Sequence, residues 1–93
     1  VNVVASVFGV EKSRMLGRER SREVALPRQV AMYLLREEIN VSLPQIGEAL
    51  GGRDHTTVMY ACEKIADQIE RDDRLRRQVM QIREQLFGRQ LAA

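Results

Sequence analysis

Ninety-three residues suffice for one domain and are too few for two. With 44% hydrophobic and 30% charged residues the composition excludes a disordered chain, and no apolar run approaches the roughly 20 residues of a membrane span. The single cysteine, Cys62, excludes an internal disulfide and a cysteine-rich metal site, and is expected of a protein in a reducing cytoplasm. The first ten residues lack the basic front and cleavage pattern of a signal peptide. An opening Val1 in place of Met is expected of a piece of something longer.

The net charge is only +2, but it is unevenly spread. Between Lys12 and Arg36 stand seven bases and two acids; between Glu37 and Asp73, nine acids and three bases; beyond, five Arg and one Glu. Thirteen of the fifteen bases are Arg, whose planar fork suits phosphate and groove insertion better than Lys does.

In chain order, Val1 to Phe8 is apolar enough for a short helix, with Gly9 as its stop. Glu11 to Leu16 allows one or two further turns, ending at Gly17. The charged stretch GRERSREVAL reads as a connecting loop or arm up to Pro27, which suits the first turn of a helix. The following RQVAMYLLREEI has apolar residues on more than half its circumference, so a central helix is expected there, stopping at Asn40. Ser42 with Gln45 forms a capping-box pattern, and Ile46, Ala49 and Leu50 follow helical spacing until Gly51 and Gly52. Asp54 is a natural N-cap for a helix with the stripe Val58, Ala61, Cys62, Ile65 and Ile69, running to about Arg71. Asp72 or Asp73 can cap a last helix built on Leu75, Val79, Ile82 and Leu86. Gly88 should end it, with residues 89–93 as a frayed tail.

Residues 42 to 65 thus read as a short helix, a glycine turn and a longer helix, the layout of a helix-turn-helix. The second helix opens on Arg53, Asp54, His55, Thr56 and Thr57, all polar, and its apolar stripe starts only at Val58. A Thr can hydrogen-bond a base and set its methyl against thymine; Asp can accept from a cytosine amino group. The helix N-terminus should offer free N–H groups to a nearby phosphate. Taken singly these residues have plainer uses, His55 and Asp54 as surface or capping groups and Arg20 and Arg22 as solvated charges. Arg74, Arg76 and Arg77 read as a solvated helix face. No carboxylate pair with a base, no nucleophile beside a His and no phosphate loop is present, so an enzyme is not expected.

GGRDHTTV (Gly51 to Val58) followed by MYACEKI resembles the signature of the bacterial replication initiator family DnaA, in its C-terminal DNA-binding domain. RSREVALPRQVAMYL (Arg20 to Leu34) and SLPQIGEALG (Ser42 to Gly51) are similar to the same family in the same order. The resemblance implies an all-α bundle of about six helices with a Trp-repressor-like helix-turn-helix at about residues 43–71. It implies that the domain binds double-stranded DnaA boxes at the replication origin, one monomer per box. Asp54, His55, Thr56 and Thr57 match base-reading positions in the major groove, and Arg20 a residue that enters the adjacent minor groove. Arg28, Gln29, Arg36, Leu43 and Pro44 match backbone contacts, with Arg22 and Arg53 at further basic positions near DNA. Where the family often has Lys, Arg36 keeps the charge. The family's upstream ATPase domain is what binds ATP or ADP, so no cofactor and no metal is implied for this stretch. The implied setting is cytoplasmic and nucleoid-associated, without membrane contact. A transcription regulator of the same fold, or a helical module for an acidic protein partner, are the competing readings.

Overall fold

Six helices follow one another, and the order in which they bury their apolar faces explains the assembly. The structure, a computed structural model, describes residues 2–92, with side chains for residues 2–86. The helices are α1 (Asn2–Phe8), α2 (Lys12–Leu16), α3 (Arg22–Ile39), α4 (Leu43–Ala49), α5 (His55–Arg71) and α6 (Asp73–Ala92). The chain's radius of gyration, 12.6 Å, is close to the roughly 12.3 Å expected of a folded chain of this length. No helix among the described residues is long and apolar enough to cross a membrane.

The centre is α3, which packs on α1, α2, α4 and α5. Its Val30, Ala31, Met32 and Leu34 are buried against Ile46 of α4 and against Val58, Ala61, Cys62 and Ile65 of α5. The α5 stripe is therefore core, as its spacing predicts, with Ile69 half-buried at its far end. Leu75, Val79 and Ile82 close the core from α6, whereas Leu86 is 43% exposed and leaves the expected stripe. The reason is geometric: α3 ends at Ile39, and α6 makes its ion pair between Arg83 and Glu38 at that end. Leu86 lies one turn further along.

Two other expectations are corrected. The central helix starts at Arg22, five residues before Pro27, so the basic arm is shorter than its composition suggests. Val24 is fully buried, and the Ser21 carbonyl accepts from the N–H groups of Val24 and Ala25 at 3.0 and 2.8 Å. Burying Val24 contributes about 1.5–3 kcal/mol, enough to hold the extra turn. Pro27, also fully buried, then sits inside the helix, where its missing N–H costs one intrahelical bond. The last helix runs through Gly88 to Ala92: glycine in a helix costs about 1 kcal/mol relative to Ala, which weakens a helix without breaking it. Val1 and Ala93, the outer ends of the expected first helix and tail, lie outside the described residues.

The caps were foreseen more closely. Asn40 takes the left-handed conformation (φ 60°, ψ 35°) and ends α3. Ser42 Oγ accepts from the Gln45 N–H at 3.4 Å and donates to Gln45 Oε1 at 3.0 Å, so the box closes through the two side chains. Asp72 ends α5 and at once caps α6, its Oδ1 accepting from the Leu75 N–H at 3.1 Å. Arg76 folds back over this junction and donates to the carbonyls of Ile69 and Glu70, each at 3.1 Å.

Candidate nucleic-acid interface

The tip of α5 is built so that packing and exposure separate within one turn. Val58 is fully buried, while Asp54, His55, Thr56 and Thr57 are all exposed. Asp54 is the N-cap: its Oδ1 accepts from the N–H groups of Thr56 and Thr57 at 2.7 and 3.1 Å. The bonds from Thr57 and Thr56 hold its carboxyl below the usual range. Two of the N–H groups expected to face a phosphate are therefore already taken by a carboxylate of the same chain. What the tip presents outward is side chains.

The turn before it is unusually tight. Gly51 and Gly52 have φ of 89° and 80°, a region that favours glycine. The Gly47 carbonyl accepts from the N–H groups of Gly52 and Arg53 at 2.9 and 2.8 Å, which winds the turn back onto α4. A Cβ at Gly51 would stand 2.1 Å from the Leu16 carbonyl oxygen, so the turn lies directly on the end of α2.

That end of α2 is where the two inner arginines act. A helix leaves its last carbonyls without intrahelical partners, and cations there complement its dipole. Arg28, 6% exposed, donates through Nε to the Met15 carbonyl at 2.6 Å and through Nη2 to that of Arg14 at 3.3 Å. Arg53 reaches from the turn and donates to the carbonyls of Gly17 and Leu50. Burial lowers the pKa of both guanidiniums from that of free arginine, with the Arg53 charge adding to the effect on Arg28 and that of Arg18 to the effect on Arg53.

The loop that follows α2 has its own clasp. Arg14 Nη2 and Ser21 Oγ donate to Glu19 Oε2 at 2.6 and 2.7 Å, and Arg14 Nε donates to Oε1 at 3.1 Å. The Arg14 hydrogen bond, then that of Ser21, pulls the Glu19 carboxyl down to about 2. With Glu19 occupied inward, Arg18 and Arg20 remain exposed on the loop.

These parts meet in one cleft of about 410 Å³, lined by Arg18, Arg20, Arg28 and Arg53 together with Gly51, Gly52 and Thr57. Four guanidiniums and no carboxylate line it, so it is suited to an anion. Beside it a recess of about 310 Å³ adds Gln29, Tyr60 and Lys64 to Arg28, Arg53 and Thr57. Of the residues singled out in the sequence, Arg20, Arg28, Gln29, Arg53 and Thr57 are thus gathered at the foot of the exposed tip. Arg22 is not: at the start of α3 it lines a separate groove with Arg14 and Arg74. Arg36 is exposed in the last turn of α3, and Leu43 and Pro44 open α4, half-buried and exposed respectively; none of the three lines these recesses.

Sequence reasoning missed Arg18, Tyr60, Lys64 and Gly47. Arg18 stood two residues before Arg20 in the same charged stretch. Lys64 lies seven residues, two helical turns, after Thr57 on one face of α5, a spacing that could have revealed it. Gly47 gave no signal, since its need arises from the approach of Arg53, far less local than a helix pattern.

Comparison with known proteins bears on the family to which the chain belongs. The family model described as "Bacterial dnaA protein helix-turn-helix" matches residues 1–65. The chain is 58% identical over 86 residues to the chromosomal replication initiator protein DnaA of Chloroflexus aurantiacus, covering 92% of this chain and 18% of that protein. It is 58% identical over 85 residues to the protein of the same name from Roseiflexus castenholzii, covering 91% of this chain and 18% of that one. Against that of Chloroflexus aggregans the identity is 57% over 86 residues, again 92% and 18%. The chain therefore spans about 18% of the length of these relatives. An all-helical bundle, a glycine turn between α4 and α5 and two thirds of the residues in one family match lead to one conclusion: the chain belongs to the bacterial DnaA helix-turn-helix family.

Proposed function

We propose that this chain binds double-stranded DNA sequence-specifically, at DnaA boxes of a bacterial replication origin, as one monomer per box. The observation that carries the reading is the exposed tip from Asp54 to Thr57 standing over an arginine-lined cleft. A recognition helix enters the major groove by its N-terminal residues, and here those residues are free of packing. His55, Thr56 and Thr57 read base edges; Asp54 holds the two threonines in place and is itself within reach of a base. Arg20, on the clasped loop, enters the neighbouring minor groove. Arg28, Gln29, Arg36, Leu43 and Pro44 meet the sugar–phosphate backbone, with Arg53 at the turn beside them; Arg22, which lines a separate groove, meets it outside the arginine-lined cleft.

The relatives are named as chromosomal replication initiators, which supports a role in initiating replication. The chain's share in that role is to bind DNA, since what matches is a helix-turn-helix. Bacterial cytoplasm, on the nucleoid, is the setting this reading requires.

The test is to titrate the chain against a duplex carrying a DnaA box and against a scrambled duplex, at two salt concentrations. The box should be held more tightly, and both affinities should fall as salt rises, by about 0.9 log units per log salt for each phosphate neutralised. Equal affinity for the two duplexes would overturn the reading.

A further inference from the structure

The geometry points to Arg53 as a positioning residue that fixes the distance between the two DNA-reading parts, the loop carrying Arg20 and the tip of α5. This rests on the DNA-binding reading above. With only five residues, α2 leaves most of its last carbonyls without intrahelical partners. Arg28 holds those of Arg14 and Met15. The Leu16 carbonyl lies against Gly51, where a Cβ could not fit. Just past the helix, the Gly17 carbonyl is held by Arg53, thirty-six residues further along the chain.

The same guanidinium donates through its other terminal nitrogen to the Leu50 carbonyl, at the end of α4. One planar fork thus bridges the first residue of the basic loop and the helix-turn-helix turn. Arg53 is also the residue immediately before the cap of α5, so its backbone is continuous with the tip. Minor-groove and major-groove readers must meet adjacent grooves at a set spacing, and this bridge sets it. Both terminal nitrogens are engaged by carbonyls, so the residue's part in binding is to hold geometry.

A lysine keeps the charge at this position but offers one nitrogen in place of two and lacks the planar fork that meets both carbonyls at once. The proposal therefore predicts that Arg53→Lys weakens the box duplex on the order of tenfold, as much as Arg53→Met does. It also predicts that most of this loss disappears when Arg20→Ala is already present, since an unheld loop without its reader has little left to lose. A readout without DNA accompanies these: in Arg53→Lys, amide hydrogen exchange of residues 17–21 should accelerate while that of α5 residues such as Ile65 stays unchanged. Should Arg53→Lys bind like the unsubstituted chain, or its cost add in full to that of Arg20→Ala, Arg53 is an ordinary phosphate contact and the proposal is overturned. Unchanged exchange in the loop would overturn it as well. If the unsubstituted chain fails to prefer the box, the DNA-binding reading falls with it, while the exchange measurement still decides whether the bridge holds the loop.

Discussion

The carbonyl oxygen of Arg53 occupies the place where a side chain on Gly47 would begin: a Cβ there would lie 1.9 Å from it. Gly47 is buried in the middle of α4, so α4 and the turn touch backbone to backbone. Replacing it with alanine improves helix propensity by about 1 kcal/mol. Forcing a methyl against a fixed carbonyl costs about 1–3 kcal/mol, and a contact this short lies at the upper end. Gly47→Ala should therefore lower the urea midpoint and weaken DNA binding together. An unchanged midpoint would show that α4 can move away at no cost.

His55→Ala and Thr56→Ala should each weaken the box duplex by about 1–3 kcal/mol and leave random duplex nearly unchanged. Both side chains are exposed, so their thermal unfolding should match that of the unsubstituted chain. Fluorescence anisotropy on the two duplexes separates the outcomes. Equal losses on both would mean these residues touch backbone only.

Asp54 serves the fold as well as the tip. Asp54→Ala leaves the Thr56 and Thr57 N–H groups without their acceptor, and urea unfolding should shift to lower denaturant; Asp54→Asn keeps an oxygen acceptor and should restore most of the shift. Because a capping carboxylate held below its usual range contributes its stability above that range, the difference between Asp54→Ala and the unsubstituted chain should shrink as pH falls below about 4.

Ile65 is fully buried between α5 and α3. Ile65→Ala should cost about 2–5 kcal/mol and Ile65→Val about 0.5–1.5 kcal/mol. For a domain of ordinary stability, about 5–15 kcal/mol, the first is a large fraction and the second is not. Chemical denaturation monitored by helical circular dichroism would check both, and a small loss in Ile65→Ala would mean the core closes around the gap.

Glu19 offers a test by pH. Its carboxyl stands at about 2 in place of the usual 4.5, through the Arg14 hydrogen bond first and that of Ser21 second. A carboxyl depressed on folding stabilises the folded loop fully above 4.5, and that contribution is lost as pH falls through about 2. An NMR titration of the Glu19 carboxyl carbon should show its midpoint near 2, and a midpoint near 4.5 would mean that the clasp does not persist in solution.

The periodic parts of the fold could be read directly. The α5 stripe and the caps at Asn40, Ser42, Asp54 and Asp72 are local patterns, decided by spacing and by one or two side chains. What could not be read depended on distant neighbours. The turn from Arg22 to Leu26 is charged and looks like loop, but its Val24 is fully buried in the folded chain. Arg28 and Arg53 look like surface bases, and only the end of α2, thirteen and thirty-six residues away, turns them inward. Arg22 shares its stretch with Arg20 yet points to another groove, because one lies in a helix and the other precedes it. A string of charges indicates a partner, and three-dimensional packing sorts which charges can meet it.

Asp72 separates α5 from α6 by itself, serving one as terminus and the other as cap. Such a join has no slack. One added residue would strip the cap from a helix or rotate everything downstream by about 100°, carrying Leu75, Val79 and Ile82 away from the core they close. Here the count of residues is itself under constraint, so insertions that other loops of the chain would tolerate should unfasten this end of the bundle.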